Sequence, residues 1–306
     1  MNAFLPDETR LTHVHLRVAS LERALGFYRD VLGFTVLSQS ARIVKLGTTG
    51  RGPELLTLTE VPGTVPRPAR ATGLYHFAIR YPQRRDLAEA YRGLLRSDYP
   101  LSGAADHAVS EALYLNDPDG NGVELCADRL PQEWVWQDGQ VLMTTKPLDL
   151  KELARTKRSD AAPLPAATSL GHIHLHVADL AAAERFFHDY LGLAVTQRAY
   201  PGAVFLAAGD YHHHVAINLW AGKAAPPANA AGLISYRFEV SVPEILYCLG
   251  HRAPLLGYET ESTPGVARLR IRDPNGAWLE IQPSKTSGSR LVGCGEPGGK
   301  AHLHVS

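Results

Sequence analysis

The sequence predicts an α+β protein of curved mixed β-sheet, and two observations carry that prediction. The first is an internal repeat: "HVHLRVASLERALGFYRDVLGFTV" (13–36) lies over "HIHLHVADLAAAERFFHDYLGLAV" (172–195) without a gap, at an offset of 172 less 13, or 159. The second is that each half shows the same order twice: a strand, a helix, then about three strands. A further match pairs "LNDPDGNGVEL" (115–125) with "IRDPNGAWLEI" (271–281), so that Asp117, Pro118, Gly120 and Glu124 return as Asp273, Pro274, Gly276 and Glu280, now at offset 156. The chain therefore reads as two homologous halves, 11–126 and 170–283. They are joined by a segment, 127–169, that holds a short helix and ends in a Pro, Ala and Ser mixture, and they are followed by a Gly- and Ser-rich flexible tail, 284–306.

Each element of the first half has a local cause. His13 to Val18 alternates polar and apolar residues as a half-buried strand does. "SLERALGFYRDVLG" has apolar residues at helical spacing and stops on Gly33. "ARIVKLG" and "PELLTLTEV" are the next two strands. After the loop "PGTVPRPARAT" come strand "GLYHFAIRY", helix "RRDLAEAYRGLLRS", and strands around "EALYLND" and "GNGVELCAD", the last two joined by the turn "DPDGNG".

Composition narrows the function classes. Lys plus Arg (31) equals Asp plus Glu (31), so no net field draws the chain to nucleic acid or an anionic membrane, and the expected partner is a small molecule. No stretch approaches the roughly 20 apolar residues of a membrane span, and MNAFLPDETR has no apolar signal core. Three distant cysteines, none in CxxC spacing, argue against a disulfide framework and fit a cytoplasmic protein. Homo-oligomerisation is left open.

The strand period puts His13, His15 and Arg17 on one face and Val14, Leu16 and Val18 on the other, so the histidine face must look into something polar, such as a cavity. In the first half the strand positions His13, His76 and Glu124 offer two imidazoles and one carboxylate, the ligand set of a facial Fe(II) site with open positions. Spacing across long loops leaves open whether the three meet.

The runs "HVHLRVASLERALGFYRDVLGF", "GLYHFAIRYPQRRDLAEAY" and "DHAVSEALYLNDPDGNGVEL" together resemble the vicinal oxygen chelate superfamily of glyoxalases and extradiol dioxygenases. The two-half, four-module layout is most similar to catechol 2,3-dioxygenases of the CatE-like branch. The resemblance covers about 11–283. It implies four βαβββ modules paired into two cup-shaped domains, and an extradiol oxidoreductase that uses Fe(II), or alternatively Mn(II), to insert O₂ into a catechol in aromatic catabolism. Carried over position by position, it implies metal ligands His13, His76 and Glu124, a tyrosine at Tyr114 that bonds substrate oxygens, and His107 touching substrate or oxygen.

The resemblance also implies a metal in the C-terminal half, and the internal repeat opposes that. Its ruler takes His76 to Ser235 and Tyr114 to Arg270, so the second half keeps His172 and Glu280 but loses a ligand and the tyrosine. His213 falls where the resemblance implies an acid/base histidine, and its counterpart in the first half is Glu54. The expected reading is a site in the first half, 11–126, with His15, His107 or Glu54 moving protons. The less favoured site is His172, Glu280 and His213 in the second half. Blander readings stand beside these: His212, His213 and His214 as a solvated strand edge, Tyr114 as a half-buried strand aromatic, and Glu280 as a relic with a local hydrogen bond. The rival functions are a glyoxalase-type isomerase or lyase, with Glu54 as its extra carboxylate ligand, and a metal-free binding protein of the bleomycin-resistance kind.

Overall fold

A computed structural model describes residues 5–157, 164–262 and 268–284. The tail expected to be flexible lies, from residue 285 on, outside the described residues.

Four modules follow one another with the predicted element order. The first is β1 (Arg10–Val18), α1 (Leu21–Leu25), β2 (Thr35–Gln39), β3 (Ile43–Gly47) and β4 (Leu56–Glu60). The second is β5 (Gly73–Arg80), α2 (Arg84–Arg96), β6 (Gly103–Asp106), β7 (Ser110–Asn116) and β8 (Gly122–Asp128). The connecting segment holds β9 (Trp136–Gln137), β10 (Gln140–Val141), β11 (Lys146–Pro147) and α3 (Leu150–Arg155). The third module is β12 (Ser169–His176), α4 (Leu180–Glu184), β13 (Ala194–Gln197), β14 (Ala203–Ala207) and β15 (Val215–Asn218). The fourth is β16 (Gly232–Val240), α5 (Ile245–Leu255), β17 (Thr260–Ser262), β18 (Leu269–Arg272) and β19 (Trp278–Pro283).

The repeated helices share a detail. α1 and α4 start on side-chain caps, Ser20 and Asp179, and each runs into one π-helical turn, Gly26–Val31 and Arg185–Tyr190. The extra residue per turn lets two consecutive aromatics, Phe27 with Tyr28 and Phe186 with Phe187, both reach the core. Gly33 and Gly192 then leave the helix at φ 86° and 81°, a conformation that favours glycine.

Sheet pairing departs from the order of the sequence. Among the described residues one sheet runs β17-β18-β19-β16-β1-β4-β3-β2 and the other β11-β6-β7-β8-β5-β12-β15-β14-β13. The first module therefore pairs with the fourth and the second with the third, whereas the reading 11–126 and 170–283 pairs neighbours in sequence. Within each module the first strand is parallel to the last, and two first strands meet antiparallel at the middle of each sheet: β1 with β16, β5 with β12. Bulges interrupt both central pairs, between His15 and Leu16 and between His174 and Leu175, which helps curl each sheet into a cup. The chain crosses between sheets in the loops 61–72 and 219–231, which bridge at Val65 and Ala230.

The second repeat is largely architectural. Asp117 accepts the backbone N–H groups of Asp119 and Asn121 and the Tyr28 hydroxyl, and so closes the turn that launches β8. Asp273 does the same for β19 with Asn275, Ala277 and Tyr236. β8 and β19 carry Glu124 and Glu280, so the turn sets where each carboxylate falls.

Gly122 holds β8 against β5 at the level of His76, its register partner. A Cβ there would lie 1.9 Å from the Tyr75 carbonyl oxygen. Gly122→Ala is expected to destabilise the fold by about 1–3 kcal/mol, the usual range for overpacking, in a thermal or urea melt.

Candidate metal centre

The central pair β5–β12 brings two histidines from different halves face to face. His76 and His174 are register partners, and His172 lies two residues along on the same side of β12. Glu124 reaches the same point from β8, which runs parallel to β5. The Nε2 atoms of His76 and His172 are 3.4 Å apart, and Glu124 Oε2 lies 3.0 Å from the first and 3.2 Å from the second. All three side chains are buried. They form the one group of ligand-bearing side chains, among the described residues, whose donor atoms lie within 4.8 Å of one another.

His13 is elsewhere. The sequence reading made it the first ligand beside His76 and Glu124, but it belongs to the other sheet, where its Nε2 lies 2.9 Å from both Glu54 Oε1 and Thr57 Oγ1. The reason is the pairing: β1 joins β16, whose residue opposite His15 is Ser235, while β5 joins β12. His15 goes with His13, bonded to Thr59 at 2.7 Å, its imidazole pushed down to about 4 by burial and then by His13. Glu54 is held between His13 and Lys45. The alternative set of His172, His213 and Glu280 is split as well, since Glu280 sits in the other sheet beside Arg237.

Tyr114 and His107 do reach the centre. Tyr114 is the register partner of Glu124, and its ring centroid lies 5.4 Å from that of His76. Burial, followed by the Glu124 charge, pushes its phenol well above the ordinary range. His107 contacts the Thr144 carbonyl through Nδ1 at 2.6 Å and the Tyr114 hydroxyl through Nε2 at 2.7 Å. A carbonyl only accepts, so the His107 proton is on Nδ1, and Tyr114 donates its proton to Nε2.

His212, His213 and His214 are no solvated strand edge. They occupy a bend before β15, and all three are buried. His212 Nε2 is 3.3 Å from Asp128 Oδ1, and His212 Nδ1 is 2.8 Å from His213 Nδ1. The carboxylate accepts, so His212 carries its proton on Nε2; its Nδ1 then accepts from His213, which leaves the His213 lone pair on Nε2. The His213 ring stands 4.1 Å from that of His172, and burial, followed by the His172 charge, holds its imidazole well below the usual range.

His174 is fixed in the same way. The Trp220 backbone N–H donates to Asn218 Oδ1 at 2.9 Å, which orients the amide, so Asn218 Nδ2 donates to His174 Nε2 at 2.7 Å. His174 therefore keeps its proton on Nδ1. The cavity over these groups is about 200 Å³, and its wall also includes Tyr75, Val109, Met143, Tyr200, Phe205 and Trp220. These wall residues escape sequence reasoning because they carry no motif, and Met143 comes from the connecting segment.

A family model for the glyoxalase/bleomycin resistance protein/dioxygenase superfamily matches residues 10–125 and 169–281. The chain belongs to that superfamily. It is 42% identical over 281 residues to the catechol-2,3-dioxygenase of Bacillus subtilis (strain 168), covering 89% of this chain and 97% of the relative. It is 32% identical over 127 residues to biphenyl-2,3-diol 1,2-dioxygenase 3 of Rhodococcus globerulus, covering 40% of this chain and 67% of that one. The fold matches a solved chain from Bacillus subtilis subsp. subtilis str. 168 with a TM-score of 0.64 and 14% identity, over 91% of this chain and 86% of that one. Glyoxalase I from Zea mays matches at 0.54 and 17% identity, over 90% and 92%.

The two cups have diverged at matching positions. Where one holds His172, His76, Glu124 and Tyr114, the repeat places His13, Ser235, Glu280 and Arg270 in the other. Around Glu280 three guanidinium groups converge, with Arg237 at 3.2 Å, Arg268 at 3.5 Å and Arg270 at 3.4 Å. Glu280 is thus the counter-ion of an arginine cluster and has more than one local partner. Glu280→Gln is expected to take the shared counter-ion from Arg237 and Arg268, Arg270 keeping Glu261, and to lower stability by about 2 kcal/mol in a denaturant titration, with the same loss in metal-free and metal-loaded protein.

Proposed function

We propose that the protein is an extradiol ring-cleaving dioxygenase that holds Fe(II) with His76, Glu124 and His172 and inserts O₂ into a catechol. The observation that carries the reading is the convergence of two imidazole nitrogens and one carboxylate oxygen, each buried. The donor chemistry fits a cation. Two Nε2 atoms 3.4 Å apart face one carboxylate oxygen, and a divalent ion satisfies all three lone pairs together. Without an ion, burial pushes the Glu124 carboxyl up, but the charges and hydrogen bonds of His172 and His76 outweigh it and hold it well below the usual range; a binding cation would displace those Nε2 protons. The 42% identity to a catechol-2,3-dioxygenase over nearly its whole length supports the same activity.

Bound iron would supply a charge that eases ionisation of the catechol hydroxyls, and open positions at which substrate and oxygen meet. The chain's own residues do the rest. His213 Nε2, the acceptor end of the Asp128, His212, His213 series, takes a proton from a substrate hydroxyl and later returns it. Tyr114, its proton given to His107, offers lone pairs to a substrate hydroxyl and holds the ring in register. His174 offers a donor from Nδ1. The walls of Phe205 and Trp220 exclude water from the ring.

A glyoxalase-type isomerase is the second reading, and it needs a further carboxylate at the metal. Glu54, the residue expected to supply it, is bound to His13 and Lys45 in the other sheet, which favours the three-ligand reading.

Anaerobic reconstitution with Fe(II), followed by catechol and air, is expected to give the yellow ring-cleavage product, with metal analysis distinguishing iron from manganese. Absence of product from iron-loaded protein would sink the assignment. His172→Ala is expected to lose bound iron and activity together, whereas His13→Ala keeps both; the reverse pattern moves the site to the other cup. His213→Ala is expected to retain iron while kcat falls about 10²-fold, the contribution of a positioned general base. Asp128→Asn, acting through His212, is expected to lower kcat about 10-fold at unchanged iron content.

A further inference from the structure

The two loops that carry the chain between the sheets, 61–72 and 219–231, hold Arg67, Arg70 and Lys223 and no aspartate or glutamate. Between these loops and the strand ends they reach lies a cavity of about 460 Å³, within the roughly 300–1,000 Å³ of small-molecule sites. It shares no lining residue with the cavity over the metal centre. Arg17, on the polar face of β1, lines it together with Arg67 and Arg272. The one carboxylate of the lining, Asp273, is occupied by the turn it closes and by Tyr236.

Two of these guanidinium groups have only neutral partners. Arg17 donates to the Ala228 carbonyl at 2.5 Å. Arg67 donates to the carbonyls of Leu74, Ala71 and Thr72, the last two at 2.9 and 3.2 Å. Among the described residues neither has a carboxylate oxygen within 4.0 Å. Burial pushes the Arg67 guanidinium down to about 10, as expected of a cation drawn out of water without a counter-ion. Arg272 differs, since it stacks 3.8 Å over Trp278 and has Glu259 at 3.7 Å. Asn275 of the same lining adds a buried amide nitrogen with no acceptor among the described residues. The rest of the wall is largely apolar, with Leu74, Leu175 and Trp278, and Gly232 leaves it open: a Cβ there would meet no atom within 4 Å.

We propose that this cavity binds a small organic acid, its carboxylate held by Arg17 and Arg67 and its apolar body against Leu74, Leu175 and Trp278. A carboxylate accepts two parallel N–H groups from a guanidinium and supplies the charge that these cations lack. A bare oxyanion would leave the apolar wall uncovered, and a neutral ring would leave the guanidinium groups without a counter-ion. No residue of the metal centre enters the site, so it stands apart from the dioxygenase reading.

Calorimetric titration of the full-length, Fe(II)-loaded protein compares benzoate with inorganic phosphate and benzyl alcohol. Benzoate is expected to bind with a Kd of about 1 mM or below, and the two partial probes about 10-fold more weakly. Arg17→Gln and Arg67→Gln are each expected to weaken benzoate about 10-fold, the loss of one charge-assisted contact. Arg70→Gln, in the same loop and outside the lining, is expected to leave it unchanged. The benzoate affinity is expected to be the same in metal-free protein. Binding that vanishes without iron, or that folded Arg17→Gln leaves unchanged, lies elsewhere and overturns the proposal. No benzoate binding by wild type, or a partial probe that binds as tightly, overturns it too. Arg17 holds a single loop carbonyl, so its variant decides the matter even where Arg67→Gln, stripped of three, fails to fold.

Discussion

The antiparallel pairing of β5 with β12 is the constraint on which the candidate site depends. It joins the second and third modules back to back, sets His76 opposite His174, and so brings the Nε2 atoms of His76 and His172 within 3.4 Å. Neither half of the chain contains both histidines. A shift of one residue along this ladder would turn His172 and His174 to the other face, since strand side chains alternate, and the three-atom cluster would be gone. Glu124 depends on the same ladder at one remove, through the parallel pairing of β8 with β5 and the Asp117 turn that launches β8.

The two cups then show how one module pattern carries different electrostatics. In the cup of modules two and three, the buried donor atoms of His76, Glu124 and His172 converge in an arrangement that could hold a metal ion. In the cup of modules one and four, arginines surround Glu280 and the imidazole of His13 is engaged by Glu54. That cup pairs its charges among its own side chains. It keeps the residues of the repeat that hold structure, Asp273 with its turn and Tyr236, while the positions that would complete a metal site have become Ser235 and Arg270.

Around the candidate metal centre, hydrogen-bond direction settles which nitrogens carry protons. Groups that can only accept or only donate, the Thr144 carbonyl, the Asp128 carboxylate and the Trp220 N–H, each anchor a series that ends at the cavity. His107, His213 and His174 thereby each carry the proton on Nδ1. Their neighbours in sequence do not show this, because the anchoring residues come from β8, the connecting segment and the loop after β15.

Much of the fold was legible in the residues themselves. The repeat, the strand alternation and the glycine stops at Gly33 and Gly192 report local constraints, and the element order follows from them. His76 and Glu124 were legible too, as strand positions of one module, and Tyr114 and His107 through the family resemblance. The partner of that module was not. All four modules open with strands of similar pattern, so pairing energies along the backbone are nearly alike for any two, and the repeat says nothing about which edges meet. Long-range packing decided it: the second module met the third, His172 took the place expected of His13, and a bend buried the three consecutive histidines that a straight strand would have left on opposite faces.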